Sequence, residues 1–238
     1  VKMKVTTQGE EVINLLWDVI AAKGFEKDTY FEMAARDIRA LPKLEGTVHV
    51  NVALIVKFIS NYFFKSAKFP DVSKQSEPQN DDFLFNQGTT HSLSNICFHD
   101  YRITYNSVNI PNVDVFKKQI RMLKLLLLIA KPNKTQLRDI DFLLILGEIF
   151  TLVVYGQLIL ENAKIFNIDD DILDQIFDGI VRDFSKFSVQ MYSIAGTTVL
   201  QRHISSRMIK KPSFKQSRFK RVWENYVYVL KNQYIMSE

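Results

Sequence analysis

The sequence predicts an all-α protein, a helical bundle with a second helical region and a long connection between the two. Three observations predict it. Apolar residues recur at helical spacing through six long segments. Only eight glycines occur in 238 residues, too few for many tight hairpins. Proline or glycine stands where several of the periodic segments stop.

The elements follow in order. Glu10–Lys23 carries Val12, Ile13, Leu16, Trp17, Val19 and Ile20 close to one helical stripe, and Gly24 ends it. Thr29–Arg39 is a short amphipathic helix stopped before Pro42. Thr47–Phe64 is apolar on nearly every face, as in a buried helix, and opens on a threonine suited to N-capping. Residues 66–112 hold Pro70, Pro78 and Pro111 among Asn, Asp, Ser and Gln, and read as a surface connection, loosest over 66–82. Within it, Ile96–Tyr105 suits a short strand or extended segment. A helix from Val113 to about Ala130 stops before Pro132, and another covers roughly Gln136–Phe166. Asp169-Asp170-Asp171 opens the next helix, at the end where the helix dipole favours anions. Its apolar face includes Leu173, Phe177, Ile180 and Phe184, with Asp174, Asp178, Arg182 and Lys186 opposite. The expected organisation is 1–65, 66–112, 113–200 and a basic, aromatic tail, 201–238.

Phe142–Leu160 is long enough to cross a membrane, but Glu148, Thr151, Tyr155 and Gln157 favour a core helix. Cys97 is the single cysteine, which excludes an internal disulfide framework and any CxxC metal site and points to a reducing, cytoplasmic or other intracellular compartment. The net charge of +5 permits anionic partners without demanding nucleic acid. No GxGxxG, GxxxxGK or HExxH motif occurs. Val1-Lys2-Met3-Lys4 has no apolar signal region, and a first residue other than Met suits a piece of a longer polypeptide. His91, Cys97, His99 and Asp100 match no common structural zinc spacing and read as loop polars.

Three blocks stand in order near the start: Gly24-Phe25, then Arg36-Asp37-Ile38-Arg39, then Glu45-Gly46-Thr47. Their order and spacing resemble the C-terminal helical domain of the acyl-CoA dehydrogenase family. There Q-x-x-G-G-x-G-F is followed by R-D-x-K/R, then by E-G-T and a buried helix. The resemblance covers about the first 65 residues. More loosely, Leu84–Tyr101 and 146–163 look like the extra C-terminal helical region of long-chain-type members.

The resemblance implies a flavin (FAD) enzyme acting on an acyl-CoA thioester. Glu45 is the implied base for the α-proton, and Gly46 would pass close to substrate. Thr47, Val48 and His49 would meet the FAD pyrophosphate at a helix N-terminus. Asp18, Val19, Ile20, Ala21 and Ala22 would lie near the cofactor of a neighbouring subunit. The chain departs from the pattern at Ala21 and Ala22, where the family has adjacent glycines. It departs again at Asp18 and His49, each in place of glutamine, and at Leu44, where an aromatic is usual. The family's N-terminal helical and middle β-domains have no counterpart here. The expected partners are therefore acyl-CoA and either further copies or a companion chain. The alternative is a non-catalytic helical interaction protein derived from the family, without flavin.

From Arg202 to Arg221 the tail interleaves cations with Met208, Ile209, Phe214 and Phe219, and Trp223 follows. That pattern suits a solvated face, a subunit contact or a peripheral membrane contact through 202–223, and nucleic acid less well.

Overall fold

The computed structural model of the chain describes residues 2–44, 46–69 and 96–233. Among them the chain is helical, and the single β-bridge, Ala67 with His99, belongs to no strand. Two compact units divide it: Val1–Ile55 with Phe214–Glu238, and Val56–Ser213. The parts of 66–82 and of Leu84–Tyr101 that fall in 70–95 lie outside the described residues, as do His91 and Tyr234.

In the first unit α1 (Lys2–Ile20) and α2 (Tyr30–Ala40) pair as an antiparallel hairpin. Lys43 Nζ donates to Glu10 Oε1 at 3.0 Å, and Arg39 Nη2 to Asn14 Oδ1 at 2.9 Å. Trp17 meets Phe31 edge-on at 5.4 Å. The expected stop at Gly24 falls three residues earlier. Ala21 takes φ +52°, which ends α1, and a 3₁₀ turn, Ala21–Phe25, follows. Asp28, also left-handed at φ +65°, leads into Thr29, whose side chain caps α2 by accepting from the Glu32 N–H at 3.2 Å.

The expected single helix over Thr47–Phe64 is two, α3 (Val48–Val56) and α4 (Ile59–Phe64), broken at Lys57-Phe58. Val48, Val50, Val52, Ile55, Val56 and Ile59 are β-branched, and that run weakens helical continuity. Nor is α3 buried all round: Val52 is enclosed, while Val50 and Leu54 are exposed.

The second unit is a bundle of four longer helices. They are α6 (Pro111–Ile129), α7 (Ile140–Phe166), α8 (Asp170–Ser193) and α9 (Val199–Met208), with a short α5 (Tyr101–Asn106) against α7. α8 touches α6, α7 and α9, and α6 also packs on α9. An aromatic spine fills the centre: Phe116 lies 5.7 Å from Phe177 and 5.5 Å from Phe184, edge to face. Gly156 lets α7 approach closely, since a Cβ there would sit 2.5 Å from the Tyr105 hydroxyl and 3.2 Å from Phe116. That hydroxyl donates to the Val153 carbonyl at 2.7 Å.

Caps set the boundaries. Asp139 accepts from Asp141 and Phe142 N–H, so α7 begins at Ile140 rather than Gln136, which lies in a 3₁₀ turn. Asp169 caps α8 by accepting from the Asp171 N–H at 2.7 Å. The expected strand over Ile96–Tyr105 is instead the bridge at His99 followed by α5, which Asp100 caps. α7 is long and apolar enough to cross a membrane, but 56% of its most apolar window is buried.

Buried polar side chains tie the bundle. Asp174, expected on the solvated face of α8, is 2% exposed. Its Oδ1 accepts from the Asn112 N–H at 3.0 Å, so it caps α6, whose own N-cap, Ile110, has no side-chain acceptor. Gln119 Nε2 reaches the carbonyls of Val181 and Met208. Gln136 and Gln201 bond each other, and Gln201 also holds the Ala130 carbonyl.

Candidate functional site

The α1–α2 hairpin leaves an open groove of about 610 Å³ lined by Asn14, Trp17, Asp18, Ala21, Phe25 and Arg39. Asn14, Trp17, Asp18 and Ala21 fall at i, i+3, i+4 and i+7, one face of α1 continued into the turn. Trp17 organises it. Its ring lies 4.9 Å from Phe25, and the Arg39 guanidinium sits 5.0 Å from its centroid. Such a stack favours a cation over the indole face. Arg39 is fixed on two further sides, by Asn14 Oδ1 at 2.9 Å and by the Ala35 carbonyl at 3.1 Å. The indole Nε1 is buried without a hydrogen-bond partner, pressed against Gly24, where an added Cβ would lie 2.5 Å away. The groove therefore offers a flat aromatic wall, a held cation and one exposed carboxylate, Asp18.

Of the residues expected at a cofactor, Asp18 and Ala21 line this groove. Val19 projects outward, 80% exposed, Ala22 is exposed, and Ile20 is half-buried at the helix end. Ala21 matters for its backbone, because φ +52° is a conformation that glycine adopts at no steric cost.

Glu45 lies outside the described residues. Gly46, beside it, holds φ +101°, a left-handed backbone that suits only glycine comfortably. Thr47 and His49 are exposed and Val48 half-buried at the opening of α3. The Thr47 carbonyl accepts from the Asn51 N–H at 3.1 Å, and Asn51 Nδ2 reaches the carbonyls of Gly46 and Thr47, both at 3.1 Å. This fixes the path into α3, whose first N–H groups have no intrahelical partner by helix geometry. Arg36 pairs with Glu32 at 3.3 Å and Asp37 at 3.4 Å on the surface.

Asn14 and the stacked role of Arg39 were not read from the sequence as site features. The signal was available in the spacing of Asn14 with Trp17, Asp18 and Ala21. The facing position of Arg39 needs the hairpin.

The second unit holds a buried polar cluster. The Tyr62 hydroxyl donates to Gln157 Oε1. Gln157 Nε2 bonds Glu161 Oε1 at 2.7 Å, which also accepts from Thr104 at 2.8 Å. Burial raises the Tyr62 and Tyr105 phenols well above their ordinary values, so both stay protonated donors. The Tyr62–Gln157 and Thr104–Glu161 bonds join α4 and α5 to α7, the Gln157–Glu161 bond lies within α7, and the cluster serves packing.

Scans against protein-family models, curated proteins and solved structures found no match to the chain.

Proposed function

We propose that this chain is the carboxyl-terminal, base-bearing part of a flavin-dependent acyl-CoA dehydrogenase. The observation that carries the reading is the backbone at Ala21. The residue stands where the family pattern has glycine, and it holds the left-handed conformation that glycine would occupy without strain. Of the three ordered blocks, Gly24-Phe25 falls on the turn after α1, Arg36–Arg39 on the second half of α2, and Gly46-Thr47 of the third on the approach to α3.

The residues present fit a flavin dinucleotide. Thr47, Val48 and His49 open a helix whose leading N–H groups suit a pyrophosphate. Trp17 and Arg39 give the groove an aromatic wall and a cation. Asp18 opposes an anionic group, and Arg39 in the same groove offsets it. When bound, the flavin supplies the acceptor for the hydride leaving the acyl β-carbon. The chain's own contribution is the proton: the Glu45 carboxylate takes it from the α-carbon. A carboxylate does this best in a site closed to water, where its proton affinity rises toward working pH. Gly46 would let substrate pass close to the backbone, and Asn51 holds the Gly46 and Thr47 carbonyls so that the α3 N–H groups keep their aim.

The test separates binding from chemistry. Added FAD should bind the full chain saturably, read by flavin fluorescence, and a long acyl-CoA should bleach the bound flavin. Glu45→Gln should bind FAD equally and abolish bleaching. Bleaching retained in that variant, or no saturable FAD binding, contradicts the reading.

A second reading, a helical assembly protein of the same descent without flavin, draws on the apolar surface of the first unit. Leu15, Val19, Phe25 and Tyr30 are 66%, 80%, 77% and 77% exposed. A monodisperse oligomer that binds no FAD would favour it.

A further inference from the structure

The end of the described chain runs helically from Gln216 to Leu230, as α10 (Gln216–Val222), a π turn (Trp223–Val227) and a 3₁₀ turn (Tyr228–Leu230). The Tyr228 N–H closes the π turn on the Trp223 carbonyl. Along it Phe219, Trp223, Tyr226, Val227 and Leu230 recur at steps of three and four and share one face. A surface helix of a globular unit turns such a face inward. Here Phe219 is 42% exposed, Trp223 49% and Leu230 44%, and every residue from Trp223 to Leu230 is exposed. Among the described residues the apolar face is left uncovered.

The charge pattern identifies the occupant. Residues 214–233 carry five cations (Lys215, Arg218, Lys220, Arg221, Lys231) and one carboxylate, Glu224. Glu224 pairs with Lys220 at 3.5 Å, and Lys231 lies over the Tyr228 ring at 5.4 Å. A second copy of this segment would bring like charge against like charge. An apolar protein groove would take the Leu and Val but leaves the cations and ring hydroxyls without a role. Tryptophan and tyrosine concentrate at membrane–water boundaries, where an apolar ring with a polar tip is satisfied on both sides. A cationic helix with such a face lies in the headgroup plane of an anionic bilayer.

We propose that residues 216–230 form a peripheral docking helix for anionic phospholipid surfaces. Phe219, Trp223 and Leu230 enter the acyl boundary, and Lys215, Lys220 and Lys231 meet lipid phosphates. The proposal stands apart from the flavin reading, because none of these residues belongs to the groove or to α3.

The test is flotation of the full chain with phosphatidylcholine vesicles, with and without phosphatidylglycerol. The chain should float with the anionic vesicles, remain behind with the neutral ones, and be released by high salt. Inorganic phosphate at matched ionic strength should release no more than chloride, which separates a lipid surface from a simple phosphate site. The double variant Trp223→Asp/Leu230→Asp should lower the bound fraction at least tenfold. Both side chains are exposed, so its circular dichroism should match the parent. As a milder check, Lys215→Gln and Lys231→Gln should each weaken binding roughly fivefold. Failure to float with anionic vesicles overturns the proposal, as does undiminished flotation of the double variant. So does a sedimentation shift from dimer to monomer in that variant with lipid binding unchanged, which would assign the face to a second copy.

Discussion

The two compact units spend their apolar residues differently. In the second, α8 buries Leu173, Phe177, Ile180, Val181, Phe184 and Met191. Even its polar side chains there, Asp174 and Ser188, are enclosed. In the first, α1 leaves Val12, Leu15, Leu16 and Val19 exposed, and α3 leaves Val50 and Leu54. The same residue types make a self-supporting core in one region and a presented surface in the other. Exposed apolar area of this extent marks binding surfaces. Hydrophobic pattern alone therefore does not separate a core helix from a binding helix. What separates them is whether other helices cover the apolar face, as α6, α7 and α9 cover that of α8. Gln119, Gln136, Gln201 and Asp174 then tie the covered helices, each bonding across two or more segments.

The largest test of this contrast is a paired truncation. Phe177→Ala, in the aromatic spine, should cost about 3–5 kcal/mol by chemical denaturation. Leu15→Ala, of similar chemistry but exposed, should change stability by less than about 0.5 kcal/mol. Equal costs would mean that the first unit's surface is not free. Next in size is Asp174→Ala, which leaves the Asn112 N–H at the start of α6 without its acceptor and should cost about 1–3 kcal/mol. Smaller still is Ala21→Gly, which relieves the left-handed strain and should leave stability unchanged or raise it by about 1 kcal/mol. A clear loss there would show that Ala21 is not held left-handed in solution.

The last contrast is silent near neutral pH. Tyr62 and Tyr105 have phenols raised by burial, so the folded chain keeps protons that the unfolded chain releases above about pH 10. Stability is complete below that pH and falls as pH rises beyond it. Tyrosinate absorbance from these two should appear only with unfolding. Early tyrosinate signal from every tyrosine at once would contradict the burial.

Much of the fold was legible because its signals are local. Thr29, Asp139 and Asp169 cap the helices that follow them through neighbouring N–H groups. The misreadings are non-local or conformational. Asp174 reads as solvated because it is charged and spaced with Asp178 and Arg182, and its partner is 62 residues away. The break at Lys57-Phe58 lies inside a segment that is apolar on nearly every face, where periodicity says nothing. Ala21 ends α1 through a dihedral that alanine does not advertise. The groove was half-legible: Asp18 and Ala21 came from the resemblance, and Arg39 reaches Trp17 only once α2 folds back.

Hydrogen exchange of the full chain, read by segment with and without FAD, tests the central claim most directly. The account predicts slow exchange across α6, α8 and α9 in both conditions. It also predicts faster exchange from Glu10 to Asn51 that slows when FAD is added. Exchange over Glu10–Asn51 that FAD leaves unchanged, or that matches α8 from the outset, would contradict it.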